Sequence, residues 1–273
     1  ALPILTSRFH SLRHHFYADD TQLYIPITRE NAEAPFAELT QCLSEIHSWM
    51  DLNKLKLNPD KTEFIFFGTS KLLSHLSPHL PSTILGSKIT CSPSVRNLGV
   101  LFDTELTFHD HISNVTRSSF THIRDLCRLR RFLSLSTATS LANALVSSRL
   151  DYCNSLFYNI NQSELQRLQR LQNTVCRIVT RTSRFASVHH KLKSLHWLPI
   201  RSRILFKTCL IIYKSLSYGK PSYLSDYLHP FTSSRDTRRS DPSKRLLDMP
   251  AFLPRTHTSS RSLERTRSEE HTS

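Results

Sequence analysis

Along this chain the spacing of apolar residues changes from that of strands to that of helices, and this change restricts the fold more than any other feature. In His15-Phe16-Tyr17-Ala18-Asp19-Asp20-Thr21-Gln22-Leu23-Tyr24-Ile25, aromatic and β-branched residues flank an acidic pair. That is the pattern of strand, short turn, strand. Pro26 ends or edges the second strand, because it has no N–H to give to a ladder. From about Asn31, Phe36, Leu39, Leu43, Ile46 and Met50 recur at steps of three or four, which predicts one buried helix face. Asn58-Pro59-Asp60 signals a turn. Residues 62–68 are a short, densely apolar run, as expected of a strand covered on both faces. Residues 82–90 and 95–102, separated by Cys91-Ser92-Pro93-Ser94, read as a second hairpin.

After residue 108 the helical period takes over. Ile112, Val115, Ile123, Leu126 and Leu133 mark one helix, and Ala138, Leu141, Leu145 and Val146 a second. In the third, Ser163 and Gln166 form a capping box, followed by Leu165, Leu168, Leu171, Val175 and Ile178. Arg167, Arg170, Arg177 and Arg181 fall in one narrow sector of that helix, away from its apolar stripe. A fourth helix is expected over about 200–216, entered through Trp197-Leu198-Pro199. Beyond Pro230, Ser, Thr, Arg, Asp and Pro dominate without periodicity, the composition of a segment disordered in isolation. The expected class is α+β: a mixed piece over residues 1–104, a helical piece over 105–230 and a basic tail over 231–273.

Lys and Arg (36) exceed Asp and Glu (22) by 14, and the pI is about 9.8. An excess of this size points to a polyanionic partner, with nucleic acid the first candidate and solubility alone the plain alternative. The chain has only 4 glycines and neither glycine-rich phosphate-binding pattern, which argues against the common nucleotide folds. Cys42, Cys91, Cys127, Cys153, Cys176 and Cys209 are dispersed, with no C-x-x-C pair. Reduced, mostly buried thiols of a nuclear or cytosolic protein fit this better than a zinc ribbon or a disulfide scaffold. His14-His15, His109/His111 and His189-His190 lack ligand spacing and read as surface, cap or loop residues. No apolar run approaches the roughly 20 residues a membrane span requires, so no membrane is expected as a partner. Ala1-Leu2-Pro3 has neither an initiator Met nor signal-peptide architecture and reads as an interior start.

The acidic pair is the feature with the most chemistry in it. Asp is a common turn former, so the pair by itself is unremarkable. Here it follows Tyr-Ala, lies between strand-forming residues and belongs to a basic chain. Adjacent carboxylates in an apolar setting repel one another unless cations neutralise them, and oxygen-rich sites of this kind select Mg²⁺ or Mn²⁺. Two such ions can activate a 3′-hydroxyl and stabilise a leaving pyrophosphate.

Phe16-Tyr17-Ala18-Asp19-Asp20-Thr21-Gln22-Leu23-Tyr24 resembles the Y-x-D-D hairpin of reverse transcriptases. Leu55-Lys56-Leu57-Asn58-Pro59-Asp60-Lys61-Thr62-Glu63-Phe64 resembles the palm segment that follows it in LINE-type non-LTR retrotransposons, and Arg96-Asn97-Leu98-Gly99-Val100 their primer-grip hairpin. Ser148-Arg149-Leu150-Asp151-Tyr152-Cys153-Asn154-Ser155 and Leu195-His196-Trp197-Leu198-Pro199-Ile200 are similar to blocks further downstream in the same reading frames. Five blocks in order make a specific resemblance. It implies a partial palm over 1–104 and a helical thumb and downstream region over 105–230. It further implies Asp19 and Asp20 as metal-binding carboxylates, Tyr17 beside the primer end, and Lys61 assisting the departing pyrophosphate. Leu98 and Gly99 would let the hairpin backbone approach the primer, and Arg167, Arg170, Arg177 and Arg181 would contact phosphates. The parent would take Mg²⁺ or Mn²⁺, an RNA template, a DNA primer and dNTPs.

The family also uses a third metal-binding Asp on an earlier palm strand, and upstream fingers, which residues 1–16 cannot supply. The expectation is therefore a fragment inactive in DNA synthesis, with no cofactor bound tightly. Residues 267–273 resemble the translation of a sequencing adapter read in frame. Two further readings compete: a non-catalytic nucleic-acid-binding remnant and a helical protein-interaction module.

Overall fold

The computed structural model describes residues 6, 8–9, 11–28, 33–55, 58, 61–76, 83–84, 87–88, 91–229 and 247. The expected tail over 231–273 therefore lies outside the described residues, apart from Leu247. The chain divides into two units, residues 1–204 and 205–273.

The first strands are β1 (Arg13–Tyr17) and β2 (Asp20–Tyr24), an antiparallel pair in which Tyr17 faces Asp20 across a two-residue turn. Helix α1 (Glu33–Leu52) follows. Its Phe36, Leu39, Cys42 and Ile46 are buried, as the period predicts. Leu39, Cys42 and Ile46 form a small core with Phe9 and Leu12, onto which Leu23, Ile25 and Phe64 pack.

Residues 62–68 depart from expectation. They form no strand but a single parallel bridge, Phe64 to Cys91. The Phe64 carbonyl accepts from Ser92 N–H at 2.8 Å, and Gly68 N–H donates to the Thr104 carbonyl at 3.0 Å. The run thus lies against a neighbouring segment without the repeated pairing a ladder needs. Its aromatics pack edge-to-face instead, Phe64 on Phe66 and Phe66 on Phe36. A short helix, α2 (Ser70–Leu76), follows unanticipated, its start held by Glu105, which accepts from Ser70 N–H at 3.0 Å.

The hairpin expected between 82–90 and 95–102 is also replaced. β3 (Thr83–Ile84) pairs with β4 (Ser87–Lys88), while β5 (Ser94–Asn97) pairs with β6 (Val100–Asp103). Local turns decide this. Leu98 (φ 44°) and Gly99 (φ 83°) make a two-residue turn with both φ positive, the geometry that matches the twist of the strands it joins.

The helical region holds the main core. It comprises α3 (His109–Leu129), α4 (Leu135–Ala142), α5 (Ser148–Asp151), α6 (Gln162–Thr180), α7 (His189–Ser194) and the start of α8 (Ile200–Tyr218), while the rest of α8 and the short α9 (Ser222–Ser225) belong to the second unit. Ile112, Ile123 and Leu126 of α3 meet Leu168, Leu171, Val175 and Val179 of α6 in one cluster with Ala138, Val146 and Trp197. Burial of this many branched side chains, at about 1.5–3 kcal/mol each, holds the helices together. The stretch from α4 to α5 is continuous but carries a π-turn at Asn143–Ser147. The expected capping box at Ser163 is not used: α6 starts earlier, after Asn161, with no side-chain cap bond.

The remaining polar groups of the core tie its segments. Gln172, 2 % exposed, donates to the Leu198 carbonyl at 2.8 Å and accepts from Gln169 at 2.9 Å. Gln169 also accepts from Ile200 N–H at 2.9 Å, capping the start of α8. The Arg203 guanidinium reaches Asp151 at 2.7 Å, so the first downstream block noted in the sequence is tied to α8, the helix that the second block leads into. All six cysteines are free. Cys42 and Cys176 are buried and Cys153 half-buried, whereas Cys91, Cys127 and Cys209 are exposed, which corrects the expectation of mostly buried thiols. No described helix is long and apolar enough to cross a membrane.

Candidate functional site

The acidic turn protrudes at the tip of the β1–β2 hairpin. Ala18, at φ 53°, adopts left-handed backbone, a conformation that costs a residue bearing a Cβ about 1–2 kcal/mol. Asp19 is in the turn and Asp20 begins β2. Both are exposed, and Tyr17 is 59 % exposed. The carboxylates therefore stand in solvent, not in the apolar setting expected, because the strands are short and nothing among the described residues covers their tip.

Among the described residues no group of three or more His, Cys, Asp or Glu side chains is placed to hold a metal ion. Two solvated carboxylates on adjacent residues provide few of the six oxygen ligands that Mg²⁺ requires, and fewer still for a pair of ions. By itself this donor set does not fit a two-metal centre.

The second hairpin is held close to the first. Gln22 of β2 donates its side-chain amide to the Asn97 side-chain carbonyl of β5 at 2.7 Å. Asn97 immediately precedes the Leu98-Gly99 turn. Tyr152, just after α5, donates its hydroxyl to the Leu98 carbonyl at 2.5 Å. A Cβ at Gly99 would meet the Tyr152 ring at 3.6 Å, an ordinary van der Waals contact, so the φ of 83° and not crowding by Tyr152 favours glycine here. The adjacent Cys153, partial desolvation and, less strongly, Tyr17 raise the Tyr152 hydroxyl above the ordinary phenol range, which keeps it protonated and donating. The β1–β2 hairpin, the Leu98-Gly99 turn and Tyr152 thus belong to one neighbourhood. Tyr152 was not singled out from sequence, although its block was. Its partner lies 54 residues away, and no periodicity reports such a contact.

Lys61 is exposed in a turn, its N–H donating to the Asn58 carbonyl at 3.2 Å. Among the described residues no hydrogen bond or ion pair joins it to Asp19 or Asp20.

Arg167, Arg170 and Arg177 share a sector of α6, Arg181 stands just past its end in left-handed backbone (φ 51°), and the four do not share a role. Arg167 donates to Ser113 at 2.9 Å and lies 3.5 Å from Glu164, while Glu164 also receives His109 at 2.9 Å. Arg177 is half-buried and reaches the Ala186 carbonyl at 3.5 Å. Arg181 donates to the Arg130 and Arg131 carbonyls at 3.0 and 3.3 Å. Arg170 is exposed and touches only its own helix, at the Gln166 carbonyl. The sector is therefore a partly neutralised seam, with Arg170 and Arg181 its accessible members.

His111 corrects the reading of the histidines as surface groups. It is 4 % exposed, and its Nδ1 accepts from Leu101 N–H at 3.2 Å, fastening α3 to β6. Burial, then the charge of Arg96, lowers its pKa. The ring is thus neutral, with its proton on Nε2.

No family model, curated protein or solved structure matches the chain.

Proposed function

We propose that the chain is a piece of a LINE-type reverse transcriptase, comprising the end of the palm and a helical thumb-like region, which binds nucleic acid but does not polymerise by itself. The observation that carries the reading is the junction of the two hairpins. Gln22 and Asn97, 2.7 Å apart, tie the acidic turn to the Leu98-Gly99 turn, and these are the segments that resemble the catalytic and primer-grip hairpins of that family. In the parent, Asp19 and Asp20 would help to hold Mg²⁺ or Mn²⁺, which would supply charge neutralisation for RNA-directed DNA synthesis from dNTPs. Tyr17 would lie beside the primer end, and Arg170 and Arg181 would meet phosphates, for which the planar guanidinium is suited. Exposure of both carboxylates, with no third placed beside them among the described residues, favours a second reading for the isolated chain: a non-catalytic nucleic-acid-binding module.

Primer extension separates these. The 273-residue chain is expected to give no product on a primed RNA template with Mg²⁺. A chain extended upstream through the rest of the palm and fingers is expected to extend the primer and to lose that activity on Asp19→Ala. Synthesis by the short chain, or by an extended chain that tolerates Asp19→Ala, would defeat the proposal.

A further inference from the structure

The end of the helical region away from the hairpins carries a second surface of defined chemistry. Helix α3 is fastened to β6 near its start through His111 and Leu101. It ends at Leu129, the last of its 21 residues, about 30 Å from its beginning at 1.5 Å per residue. There it runs into a 3₁₀ turn, Arg130–Phe132. The turn after α6 lies beside it, because each segment's arginine bonds the other's backbone. Arg130 donates through Nε to the Val179 carbonyl at 2.8 Å, and Arg181 donates to the Arg130 and Arg131 carbonyls.

Each of these two adjacent segments presents an exposed phenylalanine next to an arginine. Phe132 is 72 % exposed and Phe185 84 %. The Arg131 guanidinium lies 4.6 Å from the centre of the Phe132 ring, and Arg184 stands at the same 4.6 Å from Phe185. Neither ring is part of the cores described above, so core packing does not account for them. The surroundings are basic. Between Asp125 and Asp151, and again between Glu164 and Asp226, the sequence contains no carboxylate side chain.

We propose that this end of the helical region is a binding site for single-stranded nucleic acid, with bases stacking on Phe132 and Phe185 and phosphates meeting Arg131 and Arg184. A guanidinium against one face of a ring leaves the other for a base, and repeated arginine–aromatic pairs on a basic surface suit unpaired strands, whose bases are free to stack. A duplex shows its phosphates but hides its base faces. The site does not depend on the acidic turn and stands whether or not the polymerase reading does.

The test is fluorescence anisotropy of the full chain with a labelled oligouridylate, a duplex of similar length and an abasic oligomer. Phe132→Ala/Phe185→Ala is expected to weaken oligouridylate binding by at least about tenfold, leaving duplex binding and the salt slope unchanged. Phe132→Leu/Phe185→Leu, which keeps apolar bulk without the π face, should lose nearly as much, with thermal melts confirming that both variants fold. Arg131→Gln/Arg184→Gln should flatten the salt slope by about 1.4, two phosphates at roughly 0.7 each for a single strand. Wild-type affinity in the Phe variants would overturn the proposal, as would an abasic oligomer that binds as tightly as oligouridylate, since the surface would then attract phosphates without reading bases.

Discussion

Two side chains with polar duties inside the fold decide how its parts are set. Tyr152 holds the Leu98-Gly99 turn through one hydrogen bond. Removing its hydroxyl in Tyr152→Phe is expected to cost about 1 kcal/mol of stability and to speed amide exchange at Gly99 and Val100 while leaving exchange within α6 alone. Unchanged exchange at the turn would show that the bond does not restrain it. His111 makes stability depend on pH. Its folded pKa lies below the ordinary 6.5, so below that pH the unfolded chain binds a proton that the folded chain resists. Stability should be complete above about pH 7 and should decline as pH falls through 6.5 toward the lowered folded value. His111→Asn, whose side-chain carbonyl can accept from Leu101, should flatten urea-unfolding midpoints across this window. An equally steep variant would clear His111 of the effect.

At the scale of elements, α3 and α6 are joined at their ends by an exchange of arginines. Arg130 is buried and donates to the carbonyls of Val179 and Leu133 at 2.8 and 2.7 Å, placing a cation at the C-terminal end of α6, where the helix dipole favours it. Arg130→Met should cost about 2–3 kcal/mol, because two carbonyls lose a charged donor. The expected readout is a lower urea midpoint with an unchanged m-value, followed by fluorescence of Trp197 in the same core; an unshifted midpoint would contradict this. The pairing could not be read from sequence, where Arg181 appears as one more member of a basic sector. The sector itself was legible, since period alone gives it. How many of its charges remain free was not, because beside the nearby Glu164 that depends on Ser113, Ala186 and Arg130, none of them at helical spacing from the arginine it meets. The reverse held for the strands: local composition marked 62–68 as strand-forming, but a strand exists only where a partner runs alongside for several residues.

Over the whole molecule, the excess of basic residues predicts how binding should respond to salt. With Arg131, Arg170, Arg181 and Arg184 all on exposed positions, engagement of three or more phosphates is expected. The slope of log affinity against log salt for duplex DNA should then be steeper than about −2.7, at roughly 0.9 per phosphate. Titrations between low and physiological salt check this, and a flat response would leave the helical interaction module as the better account.

What the sequence determined by itself is whatever depends on near neighbours: the first hairpin, the long helices and the excess of positive charge. Each follows from periodicity, turn chemistry or composition, which act over a few residues or over none. Only the tertiary structure decided that the Asp19-Asp20 turn stands in solvent, that Gln22 and Tyr152 bind it into one neighbourhood with the second turn, and that Phe132 and Phe185 stand on adjacent segments. These are contacts between residues far apart in the chain. The Phe132 and Phe185 segments meet because burying the faces of α3 and α6 brings their ends together, and local sequence carries no record of what such burial will place side by side.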